Sequence, residues 1–168
     1  EGIDFYSGSV HFYCEPELDI HGDLNLNGMA YEIADERLFA AYFLNGLSAF
    51  TINRTDQERA SDVNRDGTTL TVEDYVLLHR IINGWALPYD NPPDDPDTVH
   101  FLHAFGPLYA ATDDTLGAVA IVVAGNITPR PILPNMTMEY AFDGTNTHIF
   151  IHPPHGSTDS TAYILAGP

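Results

Sequence analysis

The sequence predicts an α+β chain in two parts: a helical module built from a duplicated loop-and-helix unit, then a small, incomplete all-β sandwich. Three observations predict that class. Alternating Asp and Asn side chains closed by a glycine occur twice, from Asp23 and again from Asp62. An apolar run at helical spacing follows each copy. After residue 98 the pattern changes to short strands separated by turn residues.

The loops come first because their residue types name a ligand. Asp62, Asn64 and Asp66 alternate so that their oxygens can turn inward on one ion, and Gly67 permits the reversal that brings a later carboxylate back to it. Asp23, Asn25, Asn27 and Gly28 repeat the arrangement 39 residues earlier, a period that suits one small supersecondary unit. Comparing the copies fixes the closing position. A count of about twelve, as in an ordinary EF-hand, reaches Glu73 in the second copy but Ala34 in the first, and alanine cannot bind a cation. One residue later both copies have aspartate, so Asp35 and Asp74 are read as the closing ligands of slightly lengthened loops. Met29 and Thr68 take the position that contributes a backbone carbonyl. The ligand set is then Asp23, Asn25, Asn27, Met29 and Asp35 for one Ca2+, and Asp62, Asn64, Asp66, Thr68 and Asp74 for a second. With Asp62, Asp66 and Asp74 against Asp23 and Asp35, the second loop is expected to bind more tightly. The competing reading is a degenerate loop that keeps the turn and holds no ion.

Helices are expected over 34–45 and 73–83. Leu38, Phe39, Tyr42 and Phe43 in the first, and Val76, Leu77, Leu78 and Ile81 in the second, fall at helical spacing. Both runs stop at Asn-Gly, at Asn45–Gly46 and Asn83–Gly84. Tyr31 with Ile33 matches Leu70 with Val72, apolar pairs expected to anchor each loop to a shared core. No entering helix of EF-hand length is expected before either loop, and 51–61 reads as a long polar connector. Such a duplication resembles the type I dockerin family of bacterial secreted proteins, over about residues 20–90. The resemblance implies a pair of half-EF-hands, two calcium ions and docking to a protein partner. The inserted loop residue, Asn27 where aspartate is common, and the connector depart from the family pattern.

Acidic residues outnumber basic ones by 24 to 6, the basic ones are all arginine, and the formal net charge is -18. Such a surface repels nucleic acid and anionic membrane and attracts cations, which removes phosphate-loop and basic-helix readings. No stretch approaches the eighteen or so apolar residues of a membrane span, and Glu1 to Asp4 do not begin a signal peptide, so the chain reads as mature or trimmed. Millimolar calcium is an extracellular condition, hence an extracellular or cell-surface location is expected. The one cysteine, Cys14, excludes an internal disulfide and reads as a small apolar residue. Sequons at Asn53, Asn126 and Asn135 are glycosylation candidates, although chance in a chain rich in Asn and Thr is the simpler account.

Four segments follow: an extended arm over 1–19, the loop module over 20–90, an acidic proline-rich linker over 91–98 and the β-segment over 99–168. In the arm, Val10, Phe12 and Cys14 alternate with His11 and Tyr13 as in a strand, with no hairpin partner beside it. Ile3, Phe5, Val10 and Phe12 are its candidate partner-binding side chains. Asp94, Asp95 and Asp97 read as a solvated connector rather than a third cation site. Strands are expected over 99–105, 118–123, 136–142, 148–152 and 162–166, with Asp143–Gly144 turning a hairpin. About five strands fall short of the seven or so that close an Ig-like sandwich; the segment loosely resembles that type and the cohesin sandwich. An open edge able to accept a strand is therefore expected.

Chemistry beyond cation binding is not indicated. His148, His152 and His155 have a spacing that on a helix would suggest zinc, yet Pro153, Pro154 and the run Ile149-Phe150-Ile151 argue for a strand. A strand holds His148 and His152 roughly 13 Å apart, so these histidines read as solvent-facing. No nucleophile elbow, zinc-protease motif or paired-carboxylate cleft is apparent, no catalytic residue is expected, and the chain is not read as an enzyme. The expectation is a secreted calcium-binding structural protein. Its arm either folds back onto its own β-segment or completes that of the next copy, giving a head-to-tail filament, or else the module docks to a sandwich-domain receptor. The alternative is the non-catalytic anchoring tail of a larger secreted, polysaccharide-degrading protein.

Overall fold

A side-chain oxygen just before an apolar run satisfies the first free N–H groups of a helix, and this chain places such oxygens repeatedly. The computed structural model describes residues 20–88, 100–103, 108–111, 117–130 and 136–155. Within it α1 runs Ile33–Asn45, α2 Arg54–Ala60 and α3 Val72–Ile82. Thr71 Oγ1 accepts from Asp74 N at 3.1 Å, and Asn53 Oδ1 from Asp56 N at 3.4 Å. In return Asp74 accepts the N–H of Thr71 at 3.2 Å, and Asp35 that of Glu32 at 3.0 Å, so each closing aspartate also fastens the start of its helix. Gly46 and Gly84, with φ of 61° and 73°, follow α1 and α3 as the Asn-Gly pairs anticipate. None of the described helices is long and apolar enough to cross a membrane.

The polar connector expected over 51–61 is corrected by α2, a short helix of 7 residues that leads directly into the second loop. Its buried side chains are Gln57 and Ala60. Gln57 Nε2 donates to the Leu24 carbonyl at 2.8 Å and its Oε1 accepts from Ile52 N at 3.1 Å, so an amide fastens α2 to the first loop. Hydrophobic spacing could not announce a helix held in this way.

The fold is mixed α+β. Strands β3 Val119–Ala124, β4 Thr137–Phe142 and β5 Asn146–His152 form an antiparallel sheet in the order β3-β5-β4. The register pairs Ala120 with Phe150 and Thr137 with His152. At the β4–β5 hairpin, Asp143 Oδ1 accepts from Thr145 N and Asn146 N, each at 2.7 Å, and Gly144 takes φ 103°. A separate antiparallel pair joins β1 His100–His103 to β2 Leu108–Ala111. Of the strand expected over 99–105, residues 100–103 form β1 and the others lie outside the described residues, and β2 is additional. The arm with Ile3, Phe5, Val10, Phe12 and Cys14, the linker aspartates Asp94, Asp95 and Asp97, Asn135 and the strand expected over 162–166 lie outside the described residues.

Leu24, Phe39, Val63, Tyr75, Leu77 and Leu78 share one buried cluster with Ala118 and Phe150 of the β-segment. Phe150 stacks on Phe43 with ring centres 4.4 Å apart and meets Tyr75 edge-on at 4.9 Å. Gly117 approaches α3 so closely that a Cβ there would lie 2.8 Å from a Val76 methyl. Tyr31, Leu70 and Val72 pack against this core as expected, but Ile33 does not: it opens α1 on the solvent side, 42% exposed.

Candidate functional site

The two loops repeat each other in backbone conformation as well as in sequence. Leu26 and Arg65 adopt φ of 55° and 61°, Gly28 and Gly67 both 87°, and Tyr31 and Leu70 64° and 66°. Non-glycine residues avoid this left-handed region at a cost of about 1–2 kcal/mol each. Its recurrence at matched positions shows that the loop hydrogen bonds impose it.

Those bonds run from backbone N–H groups to the predicted oxygens. Asp23 Oδ1 accepts from Asn27 N at 3.0 Å and its Oδ2 from Gly28 N at 2.8 Å; Asp62 Oδ2 accepts from Gly67 N at 3.2 Å. Asn25 Oδ1 accepts from Asn27 N at 2.9 Å, and its counterpart Asn64 Oδ1 from Asp66 N at 3.0 Å. Asn27 Oδ1 accepts from Met29 N at 2.8 Å, and Asp66 Oδ1 from Thr68 N at 2.5 Å. The carboxylates of Asp35 and Asp74 reach back into their loops. Asp35 Oδ1 accepts from Asn25 N at 3.0 Å, and Asp74 Oδ1 from Val63 N at 2.9 Å and Asn64 N at 3.2 Å. The Met29 side chain is exposed, which leaves its carbonyl as the only group it can offer a cation.

The loops also touch at their entrances. Gly22 N donates to the Ala60 carbonyl at 2.7 Å, and the His21 ring hydrogen-bonds the Asp62 carbonyl. Gly22 and Ser61 hold equivalent posts: the Gly22 carbonyl accepts from Tyr31 N at 3.0 Å and Ser61 Oγ from Leu70 N at 2.9 Å.

Electrostatically the loops are short of positive charge. Asp35 and Asp74 are fully buried, and burial pushes both carboxyls up to about 6 despite the N–H groups that favour ionisation. Asp62 Oδ1 is buried with no hydrogen-bond partner. A carboxylate oxygen left in that state is costly unless a cation faces it. Side-chain oxygens converging on one loop, one of them orphaned, suit a hard divalent ion such as calcium.

The remaining predicted residues divide. Asn53 is the cap of α2 and Asn126 lies in the exposed turn after β3. The reading of His148, His152 and His155 as solvent-facing is corrected. His148 is part-exposed and pairs with Asp143 at 2.9 Å, but His152 is fully buried and His155 partly buried. Alternation along β5 puts His152 on the same face as Phe150, which is carried into the core.

That face meets a residue the sequence reading passed over. Glu36 of α1 is fully buried, and its Oε1 accepts from Tyr75 OH at 3.1 Å and from His79 Nδ1 at 2.8 Å, with His155 Nδ1 3.0 Å away. Burial alone would raise this carboxyl, but the neighbouring His155 and His79 outweigh it and hold the group at about 2. Burial and the Glu36 charge push the Tyr75 phenol up, so it remains a donor. The signal was present: Glu36 lies three and four residues before Phe39 and Ala40, on the core side of α1.

Comparison with protein-family models, with curated proteins and with solved structures finds no match.

Proposed function

We propose that this chain is an extracellular calcium-binding assembly protein, dockerin-like over about residues 20–90, with an open sandwich-like β-segment that receives a strand. The observation that carries the calcium reading is the matched pair of loops, in which the same left-handed positions recur and Asp62 Oδ1 is buried without a partner. Two ions would satisfy the clustered carboxylates of Asp23 with Asp35 and of Asp62 with Asp74, and order both loops.

Two features support assembly. The outer edges of β3 and β4 pair with no described strand, and such edges accept an added strand through main-chain hydrogen bonds. The alternating arm over 1–14 has a sequence suited to supply it. The same edges could serve a sandwich-domain partner, which is the docking form of this reading.

Calorimetric titration of the chelator-stripped chain is expected to show uptake of two calcium ions, with Asp62→Asn removing one of them. No uptake overturns the reading. Negative-stain imaging with and without calcium then separates polymers from dispersed monomers. Deletion of residues 1–14 should abolish polymers; polymers that survive it exclude the arm as donor, while monomers at saturating calcium favour docking.

A further inference from the structure

Glu139 on β4, His152 at the end of β5 and His155 beyond it each present a ligand atom, and these atoms all lie within 4.8 Å of one another. None belongs to a calcium loop. His152 is the pivot. Its Nδ1 lies 2.6 Å from the Pro153 carbonyl, which can only accept, so Nδ1 carries the proton and Nε2 keeps its lone pair. That Nε2 is buried and has no hydrogen-bond partner. The ring is held in place by its stack on Phe150, 4.9 Å between centres, and by Tyr75 OH 3.0 Å from Nδ1. An imidazole fixed through Nδ1–H to a backbone carbonyl, with a bare Nε2, is the usual orientation of a metal-bound histidine. A second orphan lies alongside: Glu36 Oε2 is buried without a partner, while Oε1 of the same carboxylate is 3.0 Å from His155 Nδ1.

We propose that Glu139, His152 through Nε2, and His155 bind one Zn2+, with the Glu36 carboxylate against His155. Two imidazoles and a carboxylate select a borderline transition ion, whereas calcium takes oxygen ligands, so this site and the loops choose different metals. Donor atoms around tetrahedral zinc stand roughly 3.4 Å apart, given metal–ligand bonds of about 2.0–2.1 Å. The three side chains therefore draw together by little more than about 1 Å when the ion enters. Glu139 and His155, only partly buried, have room to make that movement. Because His155 also pairs with Glu36 of α1, the ion would sit where the end of the sheet meets the helical module.

The test uses the full chain, stripped with chelator, saturated with calcium and then titrated with Zn2+ or Co2+. One equivalent of zinc is expected, and Co2+ should give the intense visible bands of a four- or five-coordinate site. His155→Ala and Glu139→Gln should each weaken zinc at least ten-fold while calcium uptake stays unchanged. Absence of zinc uptake, or equal uptake by the variants, overturns the proposal; the second result would point to exposed histidines such as His148. Should the variants not fold, the wild-type cobalt spectrum decides alone, since the weak absorption of an octahedral ion sinks the site. Calcium uptake is read separately, so failure of the zinc site and failure of the loops are distinguishable.

Discussion

Replacing Phe150 by alanine tests whether the sheet and the helical module stand or fall together. Phe150 is fully buried and touches three rings: Phe43 at 4.4 Å and His152 at 4.9 Å, both stacked, and Tyr75 edge-on at 4.9 Å. Truncation of a phenylalanine in such a place costs about 3–5 kcal/mol, through lost transfer energy and the cavity left behind. For a chain of this size that corresponds to a fall in Tm of about 6–20 °C. Trp85, the one tryptophan, follows α3 and lies edge-on to His79 with ring centres 5.8 Å apart, so its fluorescence reports on the helical module rather than on the strand that is altered. Thermal unfolding in saturating calcium, followed through Trp85, should shift by the full amount in Phe150→Ala. If the Trp85 transition stays where it was while the β-signal melts earlier, the shared core does not couple the two parts and the reasoning fails.

Gly22→Ala places a Cβ 2.4 Å from the Tyr31 ring at a φ of +84°, and should cost at least about 2 kcal/mol by denaturant unfolding; Gly28→Ala, at φ +87° with open space around it, should cost only about 1–2 kcal/mol. Thr71→Ala removes the cap of α3 and should cost about 1 kcal/mol, with Thr71→Ser close to wild type by the same assay. Glu36 carries the pH prediction. Its carboxyl is held at about 2 in the folded chain against 4.5 ordinarily, so its contribution is present above about pH 4.5 and lost as pH falls through 2; at about 1.4 kcal/mol per unit it is worth at most about 3 kcal/mol. The stability difference between wild type and Glu36→Gln should therefore shrink on acidification. Asp35 and Asp74, pushed up to about 6, act in the opposite sense without calcium, destabilising the fold as pH rises from about 4 to about 6.

What the sequence made legible was local. The loop oxygens, the glycine turns, the helices at 34–45 and 73–83 and the Asp143–Gly144 hairpin each depend on residues a few places apart, and all stand near the expected positions. The α2 helix escaped because Gln57, an amide, is what buries it. The Glu36 group escaped for a different reason: it joins residues 36, 75, 79, 152 and 155, and no spacing rule connects them. Even so, one clue was local. The alternation that set His148 and His152 on one strand face put Phe150 between them, and a phenylalanine flanked by Ile149 and Ile151 is more readily buried than exposed. Carrying Phe150 inward carries His152 with it.

Charge balance connects the two kinds of site. Among the described residues Asp23, Asp35, Glu36, Asp62 and Asp74 are all buried, yet the chain has no lysine and none of its six arginines is buried. Buried charges persist only when paired or bound to metal. Backbone N–H groups supply part of what is needed at Asp23, Asp35 and Asp74, and histidines do so at Glu36. Among the atoms left over are Asp62 Oδ1, Glu36 Oε2 and His152 Nε2, at the second loop and at the histidine cluster. On the reading proposed here, cations taken from solvent fill the role that buried lysine or arginine plays elsewhere. A chain made in this way should lose its fold to a chelator more readily than to salt, because screening weakens exposed pairs far more than contacts inside the core.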